Sequence, residues 1–198
     1  MTSRRQKSKK WMQRHLSDIY VQQAQKEGYR SRAVYKLKEI DEHHRLIRPG
    51  FNVVDLGAAP GGWSQYAVKK VGHRGRLFAL DILDMAAINN VIFIRGDFTE
   101  QQSVDLLTVE LGDQQIDLVI SDMAPNMSGI GGVDQPRAMY LSELAVDFAL
   151  KTLKPGGNLL IKTFQGSGFP ELRQTILSGF GRIATSKPKA SRSNSREV

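Results

Sequence analysis

From Asn52 onward the apolar residues fall into five short runs: Asn52 to Leu56, Arg76 to Leu80, Val91 to Arg95, Ile116 to Ile120 and Asn158 to Phe164. Between and after them come stretches with helical spacing, near Trp63 to Val71, Glu100 to Leu111, Pro136 to Leu153 and Pro170 to Leu177. Nearly continuous apolar strands that alternate with amphipathic helices predict an α/β fold, with a mainly parallel central sheet and helices on both faces. Ahead of Pro49-Gly50 the pattern from Trp11 to His44 is helical, interrupted at Gly28; Ala33, Leu37 and Ile40 share one face, with Lys36 at its edge. Residues 1–10 hold Arg4, Arg5, Lys7, Lys9 and Lys10 without an acid, and read as a flexible basic arm ahead of one domain over 11–198.

The charged exceptions to this pattern are ordered. In an open parallel sheet ligands bind beyond the carboxyl ends of the strands. Each of the five runs carries a charge there: Asp55 before Leu56-Gly57, Asp81, Asp97 after Gly96, Asp122 after Ser121, and Lys162 in Leu160-Ile161-Lys162-Thr163-Phe164. Buried charges are costly unless paired or bound, so their collection on one edge predicts a functional cleft. The first turn, Asp55-Leu56-Gly57-Ala58-Ala59-Pro60-Gly61-Gly62-Trp63, joins a strand to a helix. Its small residues let a ligand approach the backbone, and the helix start offers free N–H groups. Pro60 and the lack of a third spaced glycine set it apart from the Gly-x-Gly-x-x-Gly turn of dinucleotide enzymes, which disfavours a nucleotide-dependent oxidoreductase. Asp81 stands where a ribose-diol acceptor belongs, and Asp97 is placed to accept from an adenine amine beside an aromatic wall at Phe98. Together these residues describe an adenosine pocket.

Composition narrows the partner. The 198 residues, 40% hydrophobic, suit one domain with its own core. With 28 Lys plus Arg against 20 Asp plus Glu, the net charge of +8 favours a polyanion such as nucleic acid. A basic path toward the cleft is expected from the arm, Arg30, Arg32, Arg137, Lys187, Lys189, Arg192 and Arg196. The absence of cysteine excludes disulfides and thiolate metal sites and fits the cytoplasm. His15, His43, His44 and His73 lack ligand spacing, so no metal is expected. Gln13, Arg14, His15 and Asp18 interrupt what would be a leader's apolar stretch, and no run is long enough to span a membrane. No dimer-forming stripe is evident, which points to a monomer.

The motifs Asp55 to Gln65, Ser121-Asp122-Met123-Ala124-Pro125-Asn126, Arg30-Ser31-Arg32-Ala33 leading to Lys36-Leu37, and Ser195-Arg196-Glu197 resemble the FtsJ/RlmE family of bacterial 23S rRNA ribose 2′-O-methyltransferases, in order and spacing, from about Trp11 to the last residue. The resemblance implies a Rossmann-like methyltransferase fold, S-adenosylmethionine as donor, and a uridine ribose in the A-loop of the large ribosomal subunit as target. It also implies a catalytic set of Lys36, Asp122, Lys162 and Glu197, with cofactor contacts from Gly61, Trp63, Asp81, Asp97 and Asp122 in addition to Asp55, Gly57, Pro60 and Gly62 of the turn. Family members continue past the glutamate into a final antiparallel strand, so that strand is expected to be missing after Val198.

Methyl transfer to a ribose hydroxyl requires an oxygen nucleophile in line with the methyl group and a group to take or orient its proton. Lys162, which breaks an apolar strand at the active edge, is the expected base or orienting group. Lys36 would disfavour its charge and Asp122 and Glu197 would favour it, so side-chain chemistry leaves the net direction open. Asp122 is expected to hold Lys162 and bridge to the methyl donor. The rival readings are a transfer RNA or messenger RNA cap ribose methyltransferase and a non-catalytic RNA-binding assembly factor.

Overall fold

The computed structural model describes residues 18–192 and 195–198; the basic arm and Trp11 to Ser17 lie outside them. Two helices come first, α1 (Ile19–Glu27) and α2 (Val34–His44). Asp18 caps α1 by accepting from the Tyr20 amide, and Gly28 ends it in the left-handed region at φ 73°. The strands and helices that follow are β1 (Asn52–Leu56), α3 (Gly62–Val71), β2 (Arg76–Asp81), β3 (Val91–Arg95), α4 (Gln101–Leu111), β4 (Ile116–Ser121), α5 (Gly131–Thr152), β5 (Leu153–Ile161) and α6 (Phe169–Phe180).

The five strands form one sheet in the order β3-β2-β1-β4-β5, every neighbouring pair parallel. The reversal of direction falls between β1 and β4, which places the switch point beside Asp55 and Asp122. Alternate residues of each strand serve opposite faces. Val53, Leu77, Leu118 and Ile120 pack with Val34, Leu37, Trp63, Tyr66 and Ala67 of α2 and α3. Val54, Phe78, Leu80 and Val119 pack with Leu107, Ala145 and Phe148 of α4 and α5. This is the expected α/β sheet covered on both sides.

Two boundaries differ from the sequence reading. Helix α5 begins at Gly131, ahead of Pro136, which sits inside it. The buried Asp134 carboxylate accepts from the Ser128 and Gly129 amides at 2.8 Å each, and so fixes the entry that the glycines alone would leave loose. Strand β5 starts at Leu153 rather than Asn158, because Leu153 already pairs with Ile116 before an irregularity in register. At its other end Lys162 still donates its amide to Ser121. Beyond it, Thr163 and Val198 exchange backbone hydrogen bonds at 2.9 and 3.0 Å, and Phe164 bridges Glu197 in antiparallel fashion.

Candidate active site

The sequence puts Lys36, Asp122, Lys162 and Glu197 on four separate segments, and the fold brings all four to the wall of one cavity of about 540 Å³. Lys162 Nζ lies 2.8 Å from Asp122 Oδ1 and donates to the Asp122 carbonyl at 2.6 Å. The proton geometry favours the carbonyl, so the enclosed Oδ1 is held as an ionic neighbour without a hydrogen bond of its own. In the same cavity Lys36 Nζ lies 2.5 Å from Glu197 Oε1, which also accepts from Ser191 Oγ at 3.1 Å. Burial pushes the Glu197 carboxyl up, but Lys36, Lys162 and Ser191 outweigh it and leave the group below the ordinary carboxylate range. Ser191 carried no motif signal; only the folded tail brings it to Glu197.

Next to this set lies the glycine-rich turn. The Ala59-Pro60 peptide is cis, and Gly57 and Gly61 have φ of 76° and 109°. A Cβ on Gly57 would stand 2.9 Å from the Met123 backbone, so the β1 and β4 turns touch where only glycine fits. Asp55 is fully buried, with Oδ2 accepting from Ser64 at 2.6 Å and Oδ1 accepting nothing. Burial pushes this carboxyl up to about 7; nearby Asp122 and Asp81 add to the rise and Ser64 opposes it. Asp81 accepts from the Ala59 and Leu83 amides at 2.9 and 2.8 Å, which ties the turn to the end of β2. Asp97 accepts from the Thr99 amide and hydroxyl at 2.9 and 2.7 Å. Each Asp81 oxygen keeps a second lone pair for a ligand, whereas both bonds to Asp97 fall on its Oδ1 and leave Oδ2 as the acceptor there.

Several expected roles shift. Phe98 does not form a wall beside Asp97: its ring packs edge-on against Phe148 at 5.5 Å, inside the core, where apolar contact is richer. Trp63 is buried, donates to the Ala33 carbonyl at 2.8 Å and lines the cavity with Lys36. Arg30 and Arg32, expected on the RNA path, turn to the protein instead. Arg30 donates to the Pro60, Ala86 and Ala87 carbonyls at 3.3, 2.6 and 2.9 Å. Arg32 pairs with Asp18 and the Ala190 carbonyl and lies over the Tyr20 ring. Three unanswered carbonyls in a loop satisfy a guanidinium as well as a phosphate does. Lys187 donates to the Ser195 carbonyl at 2.6 Å while staying exposed, and Arg137, Arg192 and Arg196 are exposed. Among the described residues no helix is long and apolar enough to cross a membrane.

A parallel sheet with a glycine turn at its switch point, acidic strand ends and a lysine-carboxylate cavity defines a Rossmann-like methyltransferase. A model of the FtsJ-like methyltransferase family matches residues 29–198, and the chain belongs to that family. It is 58% identical over 99% of its length to the ribosomal RNA large subunit methyltransferase E of Legionella pneumophila strain Corby, covering 95% of that protein. To the protein of the same name from Psychrobacter it is 59% identical over 96% of this chain and 91% of that one. A solved structure from Plasmodium falciparum, described as a ribosomal RNA methyltransferase, superposes with a TM-score of 0.75 at 30% identity, over 82% of this chain and 93% of the other.

Proposed function

We propose that this methyltransferase transfers a methyl group from S-adenosylmethionine to the ribose 2′-hydroxyl of a uridine in the A-loop of 23S ribosomal RNA, acting in the cytoplasm as a monomer on the large ribosomal subunit. The observation that carries the reading is the meeting of Lys162-Asp122 and Lys36-Glu197 on one cavity beside the glycine turn.

The residues at the turn suit the donor. Asp81, Asp97 and Asp122 offer acceptors, which fit hydroxyls, amines and a positively charged sulfonium. Mutual repulsion among Asp55, Asp81 and Asp122 is relieved by a cationic ligand. When bound, S-adenosylmethionine supplies an activated methyl group. Asp81 holds the ribose diol and Asp97 the adenine amine. Lys162 meets the attacking hydroxyl, accepting its proton or fixing its orientation, and Asp122 locks Lys162 in place through both its carboxylate and its carbonyl. Lys36 and Glu197 neutralise each other and form the opposite wall, where the nucleotide enters.

The experiment is transfer of labelled methyl from S-adenosylmethionine to large ribosomal subunits that lack their native ribose methylation, with Lys162→Ala alongside. Label on ribose that disappears in the variant, with cofactor affinity retained, is the expected result. Full turnover by Lys162→Ala would remove the assignment of Lys162.

A further inference from the structure

We infer that Ser191 is a positioning residue for methyl transfer, holding the Glu197 carboxylate in the orientation in which it pairs with Lys36 at the cavity wall. This role rests on the RNA methyltransferase reading above and adds to its site a residue that acts through another.

Ser191 is 8% exposed, and its Oγ donates to Glu197 Oε1 at 3.1 Å. Lys36 Nζ meets the same oxygen at 2.5 Å. Both contacts fall on Oε1, which fixes the rotation of the carboxylate and leaves Oε2 as the oxygen open to a ligand. Lys36, Lys162 and Glu197 line the cavity, whereas Ser191 is not among its lining residues. The hydroxyl therefore reaches the site only through Glu197.

The serine is itself held by the helix that carries the lysine. Glu39 follows Lys36 by three residues on α2, and its Oε2 accepts from the Lys189 amide at 2.8 Å. Arg32, just ahead of α2, donates to the Ala190 carbonyl. Ala190 is buried in the core cluster that contains Val34 and Leu37 of α2. The Ser191 amide closes a turn onto the Pro188 carbonyl at 2.8 Å. That turn uses the backbone alone, so it does not account for the hydroxyl, whose hydrogen bond goes to Glu197. One helix thus presents the cation and anchors the turn that aims the anion.

The charges facing Glu197 are Lys36 from α2, Lys162 from the end of β5 with its partner Asp122, and Arg32 ahead of α2. Burial pushes the Glu197 carboxyl up, and Lys36, Lys162 and Ser191 together bring it below its ordinary range. Removal of the Ser191 hydroxyl takes away one of these lowering contacts, so the carboxyl should take up its proton at higher pH. A protonated Glu197 no longer neutralises Lys36, and two ammonium groups then oppose each other in one cavity.

The test is Ser191→Ala in the full chain, with Ser191→Thr as the variant that returns a hydroxyl. Methyl transfer to unmethylated large subunits is followed across pH, together with cofactor affinity and melting temperature. The titration of the Glu197 carboxyl is read by NMR in glutamate-labelled protein and assigned by comparison with Glu197→Gln. In Ser191→Ala kcat should fall about tenfold, the effect of one hydrogen bond to a charged group, with KM for subunits and cofactor affinity within about twofold of wild type. The acidic limb of the rate profile and the Glu197 titration should both move to higher pH, and both should return in Ser191→Thr. Wild-type kcat and an unmoved Glu197 titration in Ser191→Ala overturn the inference. So does a loss of rate that follows the melting temperature through both variants while the titration stays in place, as a purely structural serine would give. If the wild-type protein methylates no large subunit the functional reading falls, and the Glu197 titration in Ser191→Ala then decides by itself whether Ser191 holds the carboxylate.

Discussion

Arg30, a candidate for RNA contact, clasps the glycine turn in the structure, and the two roles separate experimentally. Its guanidinium bridges the Pro60 carbonyl of the glycine turn to the Ala86 and Ala87 carbonyls of the segment after β2. Its amide is engaged as well, donating to Gln65 Oε1 at 2.8 Å. A Cβ on Gly61 would stand 2.9 Å from Arg30 Nη1, so the side chain lies directly on the turn. Hydrogen bonds from a charged donor contribute about 1.5 to 3 kcal/mol when shielded; these are half-exposed, so about 1 kcal/mol for each of the two short ones is appropriate. Arg30→Ala should therefore release about 2 kcal/mol of loop order, up to about 30-fold in cofactor Kd at 1.4 kcal/mol per decade. Arg30→Lys, which can reach one carbonyl at a time, should fall between. Calorimetric titration with S-adenosylmethionine reads the first effect, and KM for large subunits at saturating cofactor reads the other. Cofactor affinity within about twofold of wild type, together with a raised KM for subunits, would refute the clasp and restore the phosphate-binding role.

Two pH dependences follow from the buried carboxyls. Asp55 keeps its proton in the folded state up to about 7, whereas the unfolded chain releases it near the ordinary 3.8. The folded state then binds more protons, so this contribution is full below the ordinary value and is lost as pH rises toward 7. Melting temperatures across that range should decline less in Asp55→Asn than in wild type, and parallel profiles would show that Asp55 titrates normally. For Glu197 the sign is opposite: its lowered pKa means that the stabilisation is present above the ordinary 4.5 and lost as pH falls through the lowered value. The protection factors of the Thr163 and Val198 amides, corrected for the intrinsic pH dependence of exchange, should fall on acidification in wild type and should already be low at neutral pH in Glu197→Gln; equal protection in the two proteins at neutral pH would detach Glu197 from the anchoring of the tail.

The strands, their parallel direction and the acidic edge were legible because each rests on local pattern: period-two burial within a strand, and charges where continuous apolar runs stop. Lys36 was legible only through family resemblance. As one cation beside an apolar stripe it has no distinctive spacing, and its partner Glu197 is remote in sequence. Asp134 was missed because its partners, Ser128 and Gly129, precede the helix by more than a cap motif spans, and Pro136 offered a nearer and false start.

The inward turn of Arg30 and Arg32 has a more general cause. A sequence shows where a cation is, but not whether a backbone carbonyl or carboxylate reaches it first. Near a turn rich in glycine and proline, carbonyls outnumber the amides that could satisfy them, since proline lacks an N–H and left-handed glycines break the ladder. An arginine that arrives from another segment is then drawn inward, as Arg30 is by Pro60, Ala86 and Ala87. Arg137 is exposed on α5 beside Asp134, whose carboxylate is already taken up by the Ser128 and Gly129 amides. The same reasoning ranks the tail: Lys187 has a carbonyl partner at Ser195, whereas the side chains of Arg192 and Arg196 are exposed. RNA contact should therefore concentrate on Arg137, Arg192 and Arg196, with Arg30 and Arg32 held by carbonyls and by Asp18.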